Sequence, residues 1–237
     1  MTAAVHRALL SRAWGAGART GRFEFELPGG SHFEFHTGQF ITLHAIRGGI
    51  QYTRAFSIAT ASDGGQRFEL CLNLEPQDDF SSWIRGLKPG DPVEFSGPYG
   101  AFRLRRPLGE ALAFIATGTG IAPIRAMLQE LYRGRGFSGE AWLIFGVRTE
   151  AAILYRDEFE GLSQKYPGFH FVPTLSRADS GWPGPTGRVQ VQIMEYLAHK
   201  PGLHAYVCGR PEMVEDVSRL LLSMGYGEDA VSCEKLE

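Results

Sequence analysis

The chain has 237 residues, 43% of them hydrophobic and 21% charged, with a net charge of −2. That balance belongs to a folded globular protein, large enough to bury one or two cores without disulfide staples. The near-neutral charge speaks against a nucleic-acid partner, which selects a strongly basic face, and no apolar run is long enough to span a bilayer.

Up to about residue 105 the apolar residues recur with period two, the rhythm of strands with one buried face. Arg7, Arg12, Arg19 and Arg22 precede the first acid, Glu24, but Val5 to Leu10 is strand-like and reads as a strand rather than a targeting segment. Phe23, Phe25 and Leu27 alternate with Arg22, Glu24 and Glu26; Phe33 and Phe35 alternate with His32, Glu34 and His36. Phe40 to Leu43, Tyr52 to Ile58, Phe68 to Leu74 and Pro92 to Phe95 continue the series, divided by turns such as Pro28-Gly29-Gly30 and Gly48-Gly49. Phe80, Trp83, Ile84 and Leu87 have helical spacing and predict one short interrupting helix. Short strands at regular intervals predict an antiparallel barrel or sandwich. His32 and His36 flank Glu34 on one strand face, which reads as a solvated face rather than a metal site, because one local strand supplies every candidate ligand.

After Arg105-Arg106-Pro107 the rhythm changes. Ala111 to Ala116 is a continuous apolar run, as expected of a parallel strand covered on both faces. A helix over about 122–132 follows. Then come a strand (141–147), a helix (157–164), a strand (169–175), a helix (189–198), a strand (202–208) and a helix (213–223). Alternating strands and helices predict a doubly wound parallel sheet. The expected domains are residues 1–105, the barrel, and 106–237, the α/β domain. Arg103, Arg105 and Arg106 form a small basic run at the junction, a solvated face that would also suit an acidic redox partner.

Two motifs carry chemistry. Thr117-Gly118-Thr119-Gly120-Ile121-Ala122-Pro123 follows a buried strand and opens a helix. In that setting backbone N–H groups and the helix dipole hold a pyrophosphate. Pro123 suits the first helical turn, where its missing N–H costs nothing, although a proline is not the usual last residue of a dinucleotide fingerprint. Upstream, Arg54-Ala55-Phe56-Ser57 is an arginine–x–aromatic–serine run inside a strand. The three cysteines, Cys71, Cys208 and Cys233, have no CxxC spacing, which argues against structural zinc and against an iron–sulfur cluster. Their sparse, odd number fits a reducing compartment, so a cytoplasmic location is expected.

In this order the motifs resemble those of the ferredoxin–NADP reductase superfamily of flavoenzymes, over nearly the whole chain. Thr37-Gly38-Gln39-Phe40 is similar to the strand entry before the flavin site, Arg54 to Ser57 to the flavin motif, and Gly97-Pro98-Tyr99-Gly100 to the motif that closes the barrel. Gly118 to Pro123 is similar to the nicotinamide-nucleotide turn, and Tyr206-Val207-Cys208-Gly209 to the cysteine–glycine motif ending the penultimate strand.

The resemblance implies a flavin-binding antiparallel β-barrel followed by a doubly wound NAD(P)-binding domain. It implies that Arg54 neutralises a flavin phosphate, that Phe56 packs on the flavin ring, and that Ser57 places its hydroxyl near the atom that receives hydride. Ala55, Ile58, Ala59 and Thr60 line the same segment. Phe80, Ser81 and Ser82 stand at the barrel helix, where the serines are expected to cap the helix and contact phosphate. The family's glycines are absent there, and Asp78 and Asp79 are poor neighbours for a diphosphate. FAD is the flavin that the resemblance implies, and this departure leaves FMN or a loosely held flavin open. Thr117, Gly118, Thr119, Gly120 and Pro123 are expected at the nucleotide pyrophosphate. Cys208 and Gly209 are expected to border the nicotinamide, and Glu234, three residues from the end, the flavin edge. Leu236 and Glu237 stand where the family often ends in an aromatic. Ser176, Arg177 and Arg188 follow the third strand of this half, where an arginine holding a 2′-phosphate favours NADP and leaves NAD open.

The expected enzyme is a ferredoxin/flavodoxin–NAD(P) reductase-type oxidoreductase. It takes hydride from NAD(P)H to flavin and passes single electrons to a separate ferredoxin, flavodoxin or oxygenase component. A free-flavin reductase and an electron-relay subunit of a larger complex are the alternatives.

Overall fold

The computed structural model describes residues 4–15, 19–62, 64–134, 136–198, 200 and 202–236. The chain divides into two compact units, residues 1–104 with 125–135, and residues 105–124 with 136–237.

In the first unit β1 (Val5–Gly15), β2 (Thr20–Glu26), β3 (Phe40–Arg47), β4 (Ile50–Ser57), β5 (Arg67–Asn73) and β6 (Pro92–Tyr99) form an antiparallel sheet in the order β4-β3-β6-β1-β2-β5. The sheet curls, so that Ile58, just beyond β4, bridges antiparallel to Leu70 on β5, the opposite edge. Strand residues point alternately to the two faces, and the inward set (Phe23, Phe25, Ile41, Leu43, Phe68, Leu70 and Phe95) makes one core. Helix α1 (Asp79–Gly86) adds Phe80 and Ile84 to it, the helical pair expected from their spacing.

The alternation at Phe33 and Phe35 correctly marks buried rings, but residues 31–36 are not a strand. Their extended chain pairs with a turn instead: Phe33 N–H donates to Gly65 O at 2.9 Å, and His32 Nδ1 lies 2.8 Å from Gly64 O.

In the second unit β7 (Ala111–Thr117), β8 (Glu140–Val147), β9 (Phe169–Leu175), β10 (His204–Gly209) and β11 (Val231–Lys235) are all parallel, in the order β11-β10-β7-β8-β9. Helix α2 (Ile121–Gln129) has residues 121–124 here and 125–129 in the first unit, whereas α3 (Arg156–Lys165), α4 (Val189–Leu197) and α5 (Pro211–Ser223) belong to this unit. Ile115, Ile144, Ile193, Val207 and Val217 share its core. β11 is a strand that the sequence pattern did not indicate: Val231 to Lys235 pair in register with Ala205 to Gly209. Strand order reverses between β7 and β10, and sheets of this kind bind ligands beyond the carboxyl ends of strands at such a switch point. Glu237 lies outside the described residues. Among the described residues no helix is long and apolar enough to cross a membrane.

Candidate functional site

In the first unit three motifs distant in sequence meet on one patch. Phe40 is the register partner of Ser57 on one side and of Tyr99 on the other. Gln39 fastens the patch: its carbonyl accepts the Ile58 N–H at 3.0 Å and its side-chain amide donates to Gly100 O at 3.3 Å. Gly38 has φ 92°, and a Cβ there would strike the Phe102 carbonyl, so the Thr37-Gly38-Gln39 entry requires its glycine.

The segment Arg54 to Thr60 runs off edge strand β4. Ser57, Ile58 and Ala59 are buried, Phe56 is half-buried and Ala55 is exposed. The Phe56 ring packs 5.6 Å from Phe80 of α1, and the Arg54 guanidinium lies 5.1 Å above the same Phe80 ring. Beyond Ser57 the backbone is held by the neighbouring strand. Ala59 N–H donates to Glu69 O at 2.8 Å, and Thr60 Oγ1 accepts Glu69 N–H at 3.2 Å.

Two residues that sequence reasoning missed complete this support. Arg125 Nη1 donates to Ala59 O at 2.9 Å and to Glu69 Oε2 at 3.2 Å, while Arg22 Nε reaches Glu69 Oε1 at 2.7 Å. Arg125 and Glu69 side chains are 8% and 5% exposed, so this is a buried charge pair that locks the carbonyl two residues after Ser57. Their partnership has no local sequence signal, since 56 positions separate them.

At the start of α1 the structure departs from the expectation. The cap is Asp78, not Ser81 or Ser82. Asp78 Oδ2 accepts both the Ser81 N–H and the Ser81 hydroxyl at 2.7 Å, and Asp78 Oδ1 accepts from Arg54 Nη2 at 2.6 Å. Ser81 is fully buried, and its oxygen also accepts the Glu75 N–H at 3.0 Å. Ser82 is half-buried, with its N–H on Asp78 O. Burial works to raise the Asp78 pKa, but the Ser81 hydroxyl, the Ser81 amide and the Arg54 charge outweigh it and hold the carboxyl below its ordinary value.

In the second unit the turn after β7 contains Gly118 in a left-handed conformation (φ 55°) and packs Gly120 directly against the end of β10. A Cβ on Gly120 would collide with the Cys208 carbonyl and lie 2.9 Å from Gly209 Cα. Gly209 in turn faces Thr117. Thr119 is half-buried, and Pro123 is buried in the first turn of α2. The Thr117 hydroxyl oxygen is buried with no hydrogen-bond partner among the described residues, at the switch point between β7 and β10. An unpaired buried hydroxyl is costly unless something else satisfies it.

Cys208 and Glu234 are register partners on β10 and β11. Cys208 is fully buried, and burial first, then the Glu234 carboxylate, push its thiol well above the ordinary value. It is thus a neutral thiol beside a carboxylate.

Ser176, Arg177 and Arg188 are exposed beyond β9. Gly187 N–H donates to Leu175 O at 2.9 Å, which brings Arg188 back to the strand end. Arg177 N–H donates to Arg148 O at 2.8 Å, adding Arg148, exposed just past β8, to the group. Sequence reasoning overlooked Arg148, although its place after the second strand of the alternating half is a signal. The nearby Glu150 is engaged by Arg156 at 2.5 Å.

These residues fit a nucleotide pyrophosphate well at Gly118 to Pro123, where open space beside Gly118, a helix start and an unsatisfied hydroxyl coincide. At Arg54 the fit to a flavin phosphate is partial, because the guanidinium already holds a carboxylate.

Residues 10–104 match the family described as oxidoreductase FAD-binding domain, and residues 114–219 match the oxidoreductase NAD-binding domain. The chain is 36% identical to ferredoxin–NADP reductase B of Sorangium cellulosum over 203 residues, 83% of this chain and 82% of that one. It is 29% identical to NADH-cytochrome b5 reductase 1 of Mortierella alpina, over 90% of this chain and 73% of that protein. Amycolatopsis cytochrome P450 reductase GcoB superposes with a TM-score of 0.87 at 26% identity, covering 99% of this chain and 71% of that chain. The chain therefore belongs to the ferredoxin–NADP reductase superfamily and is a flavoprotein oxidoreductase of the ferredoxin/flavodoxin–NAD(P) reductase type.

Proposed function

We propose that this oxidoreductase takes hydride from NADPH in preference to NADH and delivers electrons to a separate ferredoxin, flavodoxin or oxygenase component. Residues 1–105 would serve the flavin and 106–237 the nicotinamide nucleotide. A bound flavin supplies the conversion of a two-electron donor to one-electron steps. The chain's own residues supply binding and orientation. Arg54 would neutralise phosphate, Phe56 would pack on the ring, and Ser57 would present its hydroxyl to the ring nitrogen that takes hydride. Gly118 to Pro123 would cradle the pyrophosphate, with Cys208, Gly209 and Glu234 beside the reacting rings. The observation that supports this reading is the turn after β7, where Gly118 has open space at its Cβ position and the buried Thr117 hydroxyl is unsatisfied among the described residues, at the switch point.

The NADPH preference is supported by the arginines at 148, 177 and 188 gathered beyond β8 and β9. A reducing, cytoplasmic setting is supported by three free thiols, one of them, Cys233, exposed. Anaerobic steady-state rates with NADPH and NADH, with and without added flavin and ferredoxin, test the proposal. Equal kcat/KM for both nucleotides ends the NADPH preference, and no rate with any acceptor ends the reading as a whole.

A second reading, a reductase that treats flavin as substrate, is favoured by the Arg54–Asp78 pair. A colourless dialysed protein that oxidises NAD(P)H only when flavin is added would select it.

A further inference from the structure

We propose that Asp78 is an internal anion that competes with the flavin phosphate for Arg54, so that the chain binds phosphorylated flavins loosely and exchanges them. The inference rests on the reading of residues 54–60 as the flavin segment.

The amino end of α1 has the makings of an anion site. The first-turn N–H groups of a helix carry partial positive charge, and Arg54 brings a guanidinium to the same place, its face over Phe80 at 5.1 Å. In this chain three donors there are turned onto a side chain of the protein itself. Arg54 Nη2, the Ser81 amide and the Ser81 hydroxyl all donate to the Asp78 carboxylate, at 2.6, 2.7 and 2.7 Å. The next residue is also an acid: Asp79 accepts the Tyr52 hydroxyl at 2.8 Å. The Asp78 pKa is lowered, so the carboxylate stays charged at neutral pH. A phosphate entering here must take Arg54 from a partner already at ion-pair distance, and it meets like charge from Asp78 and Asp79 as it does so. The phosphate group therefore adds little to flavin affinity, and a flavin without phosphate binds nearly as well.

The test is flavin affinity, read by quenching of flavin fluorescence, for protein dialysed free of any copurified flavin. Riboflavin, FMN and FAD are compared on wild type, Asp78→Asn, Asp78→Ser and Arg54→Gln. Asn and Ser are both good helix caps, so these variants keep the Ser81 contact while losing the charge. Asp78→Asn and Asp78→Ser are expected to bind FMN and FAD at least tenfold more tightly, with riboflavin unchanged. Arg54→Gln is expected to bring FMN and riboflavin to equal affinity. If FMN affinity is unchanged or falls in both Asp78 variants, Asp78 orients Arg54 rather than competing with phosphate, and the inference is overturned while the flavin reading stands. If none of the proteins binds any of the three flavins, the reading of residues 54–60 itself is overturned.

Discussion

Gly120 lies so close to the carbonyl of Cys208 that no β-carbon fits between them. The turn after β7 and the end of β10 are thereby forced together at the place where strand order reverses. A Gly120→Ala substitution must move backbone rather than a flexible side chain. Overpacking of this kind costs about 1–3 kcal/mol. The variant is expected to melt several degrees below wild type and to show a raised KM for NADPH. Gly118→Ala is the control: among the described residues nothing lies near its Cβ, but its φ of 55° is left-handed, so a cost of about 1–2 kcal/mol comes from the backbone alone. A Gly120→Ala protein as stable and as active as wild type would show that the two loops are not locked.

Thiol chemistry separates the three cysteines. Cys233 is exposed on β11, whereas Cys71 and Cys208 are buried, and Cys208 is further held neutral by burial and Glu234. The thiolate is the reactive form, so a raised pKa means low reactivity at pH 7–8. Titration of native protein with a disulfide reagent should therefore modify one thiol quickly and the other two only on unfolding. Two fast thiols at neutral pH would show that Cys208 is accessible.

Ser57 is buried at the end of β4, and its hydroxyl is proposed to face the hydride-accepting ring nitrogen. Ser57→Ala should slow flavin reduction by NADPH about tenfold, with a stability loss of about 1 kcal/mol, the usual net worth of one hydrogen bond. Stopped-flow reduction at the wild-type rate would remove Ser57 from the chemistry.

Glu69 balances two guanidinium groups, and one of them, Arg125, is almost fully buried. Glu69→Gln takes the carboxylate away from that guanidinium, and breaking a buried pair this way costs about 3–5 kcal/mol. Urea unfolding should show a loss of that size, and the Glu69→Gln/Arg125→Met double variant should lose less than the two single losses added together. Strict additivity would mean that the two residues act independently. Because Arg125 also holds the Ala59 carbonyl, Arg125→Met should loosen flavin binding as well.

Much of the architecture was legible because burial has a period. The alternation from Phe23 to Leu27 and the unbroken apolar run from Ala111 to Ala116 told an antiparallel sheet from a parallel one without any contact being known. What failed lacked that signal. Val231-Ser232-Cys233-Glu234-Lys235 is an edge strand held by its backbone ladder to β10, and its single strongly apolar residue, Val231, gives no pattern. Phe33 and Phe35 alternate like a strand, but the Phe33 N–H bonds to a turn. At α1 the serines were read as the cap, although propensity ranks aspartate equally with serine; the proximity of Arg54 on β4 is a tertiary fact. The Arg22–Glu69–Arg125 network was illegible for the same reason, since its members come from β2, β5 and α2.

Nucleotide choice is the remaining property that three positions can decide. Arg148, Arg177 and Arg188 lie beyond the carboxyl ends of β8 and β9, and Glu150, two residues after Arg148, is engaged by Arg156. A guanidinium recognises phosphate by paired, charge-assisted hydrogen bonds and gains little from a ribose hydroxyl. Removing one such contact should therefore act on NADPH alone. Arg177→Ala and Arg148→Ala are each expected to raise KM for NADPH about tenfold, in line with about 1.5–3 kcal/mol for a hydrogen bond to a charged group. KM for NADH and kcat for both nucleotides should change less than twofold. The loss should shrink at high salt, because all three side chains are exposed and screened. An unchanged NADPH/NADH ratio in both variants would mean that the arginines are only a solvated rim, and the preference for NADPH would go with them.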